Sequence, residues 1–413
     1  MMWLSRTTPS ERRTLVAGFA GYGLDGFDVM IYTFVIPTLL GAWSMTKAEA
    51  GSIATGMLVT SAVGGWGAGV LADRFGRVRI LQLTVLWFAA FTCLSGFTQS
   101  YGQLLFTRAM QGFGFGGEWA VGSILVAETI DARHRGRATG LVQSSWSVGW
   151  ALAALAFWGV YALVPADLGW RILFWMGILP ALLIVYIRRR VNESSVYLGS
   201  RERESRGRES SGSARANFLH IFRPPLLRTT TLASLMSTGM LAAYYSVTTW
   251  LPTYLANERH LSVTGTAGYL LVVIAGSLAG YLTSASLSDA LGRRRCFVLF
   301  AVCGIVLVLA YTRLPITDGE MLLLGFPLGF VVLGIFAGMG AFLAELYPCA
   351  VRGSGQGFSY SMGRALGGVC PWLIGIWSAH WSLAGSIGII TAAAYGLVIA
   401  AAWSLPETKG AAV

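Results

Sequence analysis

Residues 69–79 read Gly-Val-Leu-Ala-Asp-Arg-Phe-Gly-Arg-Val-Arg, and residues 285–295 read Ala-Ser-Leu-Ser-Asp-Ala-Leu-Gly-Arg-Arg-Arg. Asp73 and Asp289 stand 216 positions apart, as do Gly76 and Gly292. A second pair of segments keeps nearly the same spacing: Glu128, Arg135, Gly136 and Gly140 precede Glu345, Arg352, Gly353 and Gly357 by 217. Matches at almost one offset, each at the same place in its half, mark a duplicated unit.

The surroundings of these segments say what the unit is. A membrane helix needs about 20 mostly apolar residues. Twelve such runs are present, at about 14–41, 50–72, 78–97, 103–127, 137–163 and 169–188, then 227–254, 263–287, 296–313, 322–346, 355–378 and 384–404. Of the 413 residues 55% are hydrophobic and 12% charged, against about 25% charged in a soluble domain. That excludes an ordinary water-soluble enzyme and a disordered chain. Most of the 52 glycines fall inside the runs, where small residues let membrane helices approach closely. The fold expected is an all-α membrane protein, twelve transmembrane helices in two pseudo-symmetric six-helix bundles, 1–190 and 227–413. Between them, 191–226 contains an Arg, Glu, Ser and Gly stretch that cannot form a core and reads as a cytoplasmic linker.

The net charge of +11 has a topological origin. With both termini cytoplasmic, 24 of the 30 basic residues lie on the cytoplasmic side and only Lys47, Arg171, Arg259 and Arg313 outside. This is the positive-inside bias, and it displaces a nucleic-acid partner as the explanation. Met1 to Arg13 is polar and no small-residue cleavage site follows, so a removed leader is not expected. The five cysteines and four histidines form no ligand pattern, and no nucleophile–base pair is visible. No metal, cofactor or enzymatic activity is expected.

The loop Gly69-x-x-x-Asp73-Arg74-x-Gly76-Arg77 resembles the signature loop of the major facilitator superfamily. Asp289, Gly292 and Arg293 form its weaker second copy, departing from it at Ala285 and Ala290. The resemblance covers essentially the whole chain. It implies two halves alternating around a mid-membrane cavity, with Asp73 and Arg74 bracing one state near helix 11 and Gly76 and Arg77 in the turn.

An ionisable group within a span is a functional candidate by default. Asp25 and Asp28 lie three apart near the middle of the first run, so they share a helix face. With Glu118 in the fourth run they are the proton-coupling candidates. Arg108 is open to three roles: holding a substrate carboxylate, relaying charge to a protein carboxylate, or bracing helices 1 and 4. Arg364, in the eleventh run, is the leading candidate for an anionic substrate, because a planar guanidinium suits a carboxylate. Gln143, Tyr244 and Tyr245, with Tyr22 and Trp146, are further pocket candidates.

Asp25-Gly-Phe-Asp28, Gly116-Gly-Glu-Trp119 and Gly363-Arg364 together resemble the proton symporters for organic acids. The marks in helices 1 and 11 are closest to the aromatic acid and muconate porters, and that in helix 4 to the sialate and lactate porters. The tail Pro406-Glu-Thr-Lys-Gly410 resembles the sugar porters, with a weak copy at Asn192-Glu-Ser194. The Gly-Pro motif of drug antiporters is missing: Gly140 and Gly149 have its spacing, but Ala153 and Ala154 follow. The function expected is uptake of a small organic anion with protons by a monomer spanning a bacterial-type inner membrane. The alternative is a proton-coupled sugar or polyol porter.

Overall fold

The computed structural model describes residues 7–130, 135–191, 193, 198, 219–224, 226–348 and 351–408. Twelve helical spans follow in chain order. The first six are α1 (Pro9–Ala42), α2 (Lys47–Phe75), α3 (Arg77–Ser95), α4 (Tyr101–Thr129), α5 (Arg135–Leu163) and α6 (Ala166–Met176, resuming at Leu179–Arg190). The second six are α7 (Leu226–Asn257), α8 (Val263–Leu291), α9 (Arg293–Arg313), α10 (Asp318–Gly334, continued to Glu345), α11 (Arg352–Gly367, resuming at Cys370–Trp377) and α12 (Leu383–Ser404). The linker expected at 191–226 lies mostly outside the described residues.

Local chemistry places the ends. Thr8 with Glu11, Thr46 with Glu49 and Thr317 with Glu320 form capping boxes that open α1, α2 and α10, satisfying amide donors that have no partner within the helix. Gly76 and Gly292 each end one helix and begin the next, at φ of 102° and 97°, values that side chains with a Cβ rarely adopt. The twin turns are therefore the same structure twice. Two spans that read as continuous are broken. α6 resumes at Leu179–Arg190 and α11 at Cys370–Trp377, each with a proline, Pro180 and Pro371, in its first turn. Proline has no amide to donate and fits a helix start.

Among the described residues nine helices are long and apolar enough to cross a membrane. α4, α7 and α11 are not among them: they carry Arg108, Gln111 and Glu118, a series of serines and threonines, and Arg364. The interior therefore concentrates polar groups. From Asp25 to Ile36 and from Gly239 to Leu255 every residue of α1 and α7 is buried, which places both at the centre. By contrast α3 and α9, the matching third helix of each half, expose Leu83, Leu86, Leu299, Val302 and Val306, an apolar surface suited to lipid.

The halves meet tightly at the end that carries Lys47. A Cβ on Gly51 of α2 would stand 2.3 Å from the Pro371 carbonyl oxygen, and one on Gly375 of α11 would stand 2.4 Å from that of Lys47. Deeper in, the Trp146 Nε1–H of α5 donates to the Tyr244 hydroxyl of α7 at 2.7 Å. Toward the opposite end, the end of Gly76 and Gly292, the helices part around a cavity. The molecule is thus closed at one end and hollow at the other.

Candidate substrate and proton site

The cavity holds about 1000 Å³ of empty space, mouth included. Its walls come from both halves: Gly21, Tyr22 and Asp25 of α1, Glu118 and Trp119 of α4 and Gln143 of α5, facing Phe336 and Met339 of α10 and Tyr360 of α11.

The two aspartates of α1 are fully buried but face different partners. Asp28 accepts from Arg108 Nη1 at 3.2 Å and from Gln111 Nε2. The Arg108 guanidinium also lies over the rings of Tyr32 and Phe174, 5.2 and 5.6 Å from their centroids. This is an internal ion pair between α1 and α4, a geometry that fits both the relay and the bracing roles open to Arg108. Asp25 instead meets Glu118, carboxyl to carboxyl, across the same two helices. No hydrogen-bond donor among the described residues reaches either Asp25 oxygen or Oε2 of Glu118. A carboxyl accepts a hydrogen bond from another only if one of them holds a proton.

Arg364 is 4% exposed. Its guanidinium carbon lies 4.9 Å from the Phe115 ring centroid and 5.1 Å from those of Trp119 and Tyr360. Nη2 donates to the Tyr360 hydroxyl at 3.5 Å, and Nε has no partner among the described residues. Among the described residues no carboxylate stands within ion-pair distance of it. Tyr245 lies beside the same guanidinium. Tyr244 is held by Trp146, and Gln143 stands on the cavity wall.

The repeated turns form two matching charge clusters. Arg77 pairs with Glu128 at 3.3 Å, and its amide donates to Glu193 at 3.0 Å. Arg293 pairs with Glu345 at 3.2 Å, and its amide donates to Glu407 at 2.9 Å. A carboxylate at a helix N-terminus satisfies free amides and opposes the helix dipole. Arg74 lies against the Phe75 ring, and a Cβ added at Gly69 would meet nothing within 4 Å. The side chains of Asp73 and Asp289 lie outside the described residues.

Sequence reasoning missed two things. Trp119, Tyr360 and Phe115 surround Arg364; the available signals were the Trp after Glu118 and a Tyr one turn before Arg364. Glu193 and Glu407, which in the sequence belong to the tail motif and its weak copy, serve as helix caps.

Two six-helix units, sealed at one end and hollow at the other around buried charge, are the architecture of a membrane transporter. The chain belongs to the Major Facilitator Superfamily, whose family model matches residues 18–369. It is 41% identical over 411 residues to the probable 4-methylmuconolactone transporter of Cupriavidus pinatubonensis, covering 100% of this chain and 94% of that one. It is 30% identical over 378 residues to the cis,cis-muconate transport protein of Acinetobacter baylyi, covering 90% and 88%. A crystal structure of a D-xylose–proton symporter shares the fold, with a TM-score of 0.76 at 18% identity over 98% of this chain and 100% of that one.

Proposed function

We propose that the chain imports a small organic acid anion together with protons, Arg364 binding the carboxylate and the Asp25–Glu118 pair carrying the proton. The observation that carries this reading is the buried guanidinium of Arg364, which no carboxylate among the described residues pairs. Leaving a charge unpaired away from water is costly, and an anion entering from the cavity relieves that cost. The names of the relatives, a muconolactone and a muconate transporter, agree with a carboxylate as cargo.

The carboxyl pair supplies the coupling. A proton shared between Asp25 and Glu118 removes the repulsion of two adjacent negative charges. Asp28 stands apart from that exchange, its charge balanced by Arg108. Gln143 and Tyr245 offer hydrogen bonds to the rest of the substrate, while Tyr244 ties the halves together through Trp146. With the arginine-rich loops in the cytoplasm, as the positive-inside bias directs, both termini are cytoplasmic and the cavity faces inward. The Arg77 and Arg293 clusters then sit at the inner ends of the two halves, where closure must rearrange them, alongside the loop residues Asp73, Arg74 and Asp289. The unit of transport is the monomer, since each chain contains both halves.

The tail Pro406–Glu407–Thr408 keeps a sugar or polyol porter as the second reading, and such a porter has no need of Arg364. The test is uptake of labelled cis,cis-muconate, benzoate and xylose into proteoliposomes with an alkaline interior. The expected result is accumulation of an acid, abolished by collapsing the gradient. Gradient-independent uptake overturns proton coupling, and uptake of xylose alone overturns the acid.

A further inference from the structure

Arg364 does not line the cavity; two rings separate it from the open space. Trp119 of α4 and Tyr360 of α11 stack with centroids 4.2 Å apart and planes 12° apart. Both rings form part of the cavity wall, whereas Arg364 and Phe115 behind them do not. An anion arriving from the cavity therefore meets the stack before it meets the guanidinium. Trp119 belongs to the first six-helix unit and Tyr360 to the second, so parting the rings changes how the two units touch.

Parting the rings forfeits a stacking contact. A flat, π-bonded substrate replaces it face for face, and a saturated acid of equal charge does not. The Arg364 guanidinium lies 5.1 Å from both ring centroids, positioned to receive the carboxylate of a molecule lying against them.

We propose that Trp119 and Tyr360 form a two-leaf aromatic gate over Arg364, which makes the site select planar unsaturated carboxylates over saturated ones. This rests on Arg364 being the carboxylate's partner.

The experiment measures dissociation constants of two matched pairs of acids, benzoate with cyclohexanecarboxylate and cis,cis-muconate with adipate. The full chain is held in lipid nanodiscs. The wild type is expected to favour the planar member of each pair by about five- to tenfold. Trp119→Leu and Tyr360→Leu are each expected to bring that ratio within about twofold of unity, and Trp119→Phe to retain most of it. Because the readout is a ratio of constants on one sample, a fraction of unfolded protein does not imitate the effect. A wild type without the preference, or leucine variants that keep it, overturns the gate. Arg364→Gln separates the two ideas. Weakened binding of both members supports the pairing on which the gate rests, and unchanged binding of both overturns the pairing and the gate with it.

Discussion

Asp28 and Arg108 form a 3.2 Å ion pair in which the side chains are 0% and 1% exposed. It joins α1 to α4 inside the first six-helix unit, with Gln111 donating to the same carboxylate oxygen. Removing one partner leaves a bare charge in a buried site, at a cost of about 3–5 kcal/mol, whereas removing both leaves none. Asp28→Asn and Arg108→Gln are therefore each expected to destabilise the protein strongly, and the double variant to recover much of the loss. Thermal unfolding of the four proteins in detergent measures this. Additive losses in the double variant would show that the two side chains do not act as a pair.

The partner of each aspartate was not legible in the sequence. A spacing of three says that Asp25 and Asp28 share a face of α1, and depth along α4 brings Glu118 near them, but neither says which aspartate meets Glu118 and which meets Arg108. Only the antiparallel packing of the two helices decides it, setting Arg108 against Asp28 and Glu118 against Asp25. The spans and their duplication were legible because a bilayer imposes long apolar runs, and because the turns at Gly76 and Gly292 need a backbone that glycine adopts readily. The breaks in α6 and α11 were not, since Pro180 and Pro371 fit either a kinked helix or a restarted one. The capping role of Glu407 was hidden within the tail motif because the amide it accepts from, that of Arg293, is 114 positions away. The aromatic setting of Arg364 joins α4 to α11, a contact between halves that no local pattern encodes.

Asp25 and Glu118 should separate coupling from transport itself. Glu118→Gln replaces an acid with a neutral amide that still donates and accepts hydrogen bonds. The variant is expected to lose accumulation driven by a pH gradient and to keep exchange of labelled for unlabelled substrate across proteoliposomes. Gradient-driven accumulation at the wild-type level in both Glu118→Gln and Asp25→Asn would remove the pair from the coupling reaction.

Arg364→Lys keeps the charge and discards the planar fork. A hydrogen bond to a charged group contributes about 1.5–3 kcal/mol, so losing one of two to a carboxylate is expected to weaken substrate binding by roughly 10–100-fold. The packing of the three surrounding rings against the guanidinium adds to the loss. Equilibrium binding to protein in nanodiscs reads the effect. Full affinity in the lysine variant would argue that the carboxylate is held elsewhere.

Gly51 and Gly375 seal the end opposite the cavity by letting backbones of the two halves touch. Gly51→Ala puts a methyl group 2.3 Å from the Pro371 carbonyl oxygen, and overpacking of this kind costs about 1–3 kcal/mol. That cost falls only on the conformation in which α2 and the second part of α11 meet. The variant is therefore expected to shift the population toward the state open at the Lys47 end, by roughly 5–150-fold on the same figures. Hydrogen–deuterium exchange reports it directly. Amides in the first turns of α2 and in Cys370–Trp377 should exchange faster than in the wild type, while those lining the cavity on α4 and α10 should exchange more slowly as that end closes. Faster exchange at both ends would mean general loosening instead, and no change at either would mean that α2 and α11 yield without separating.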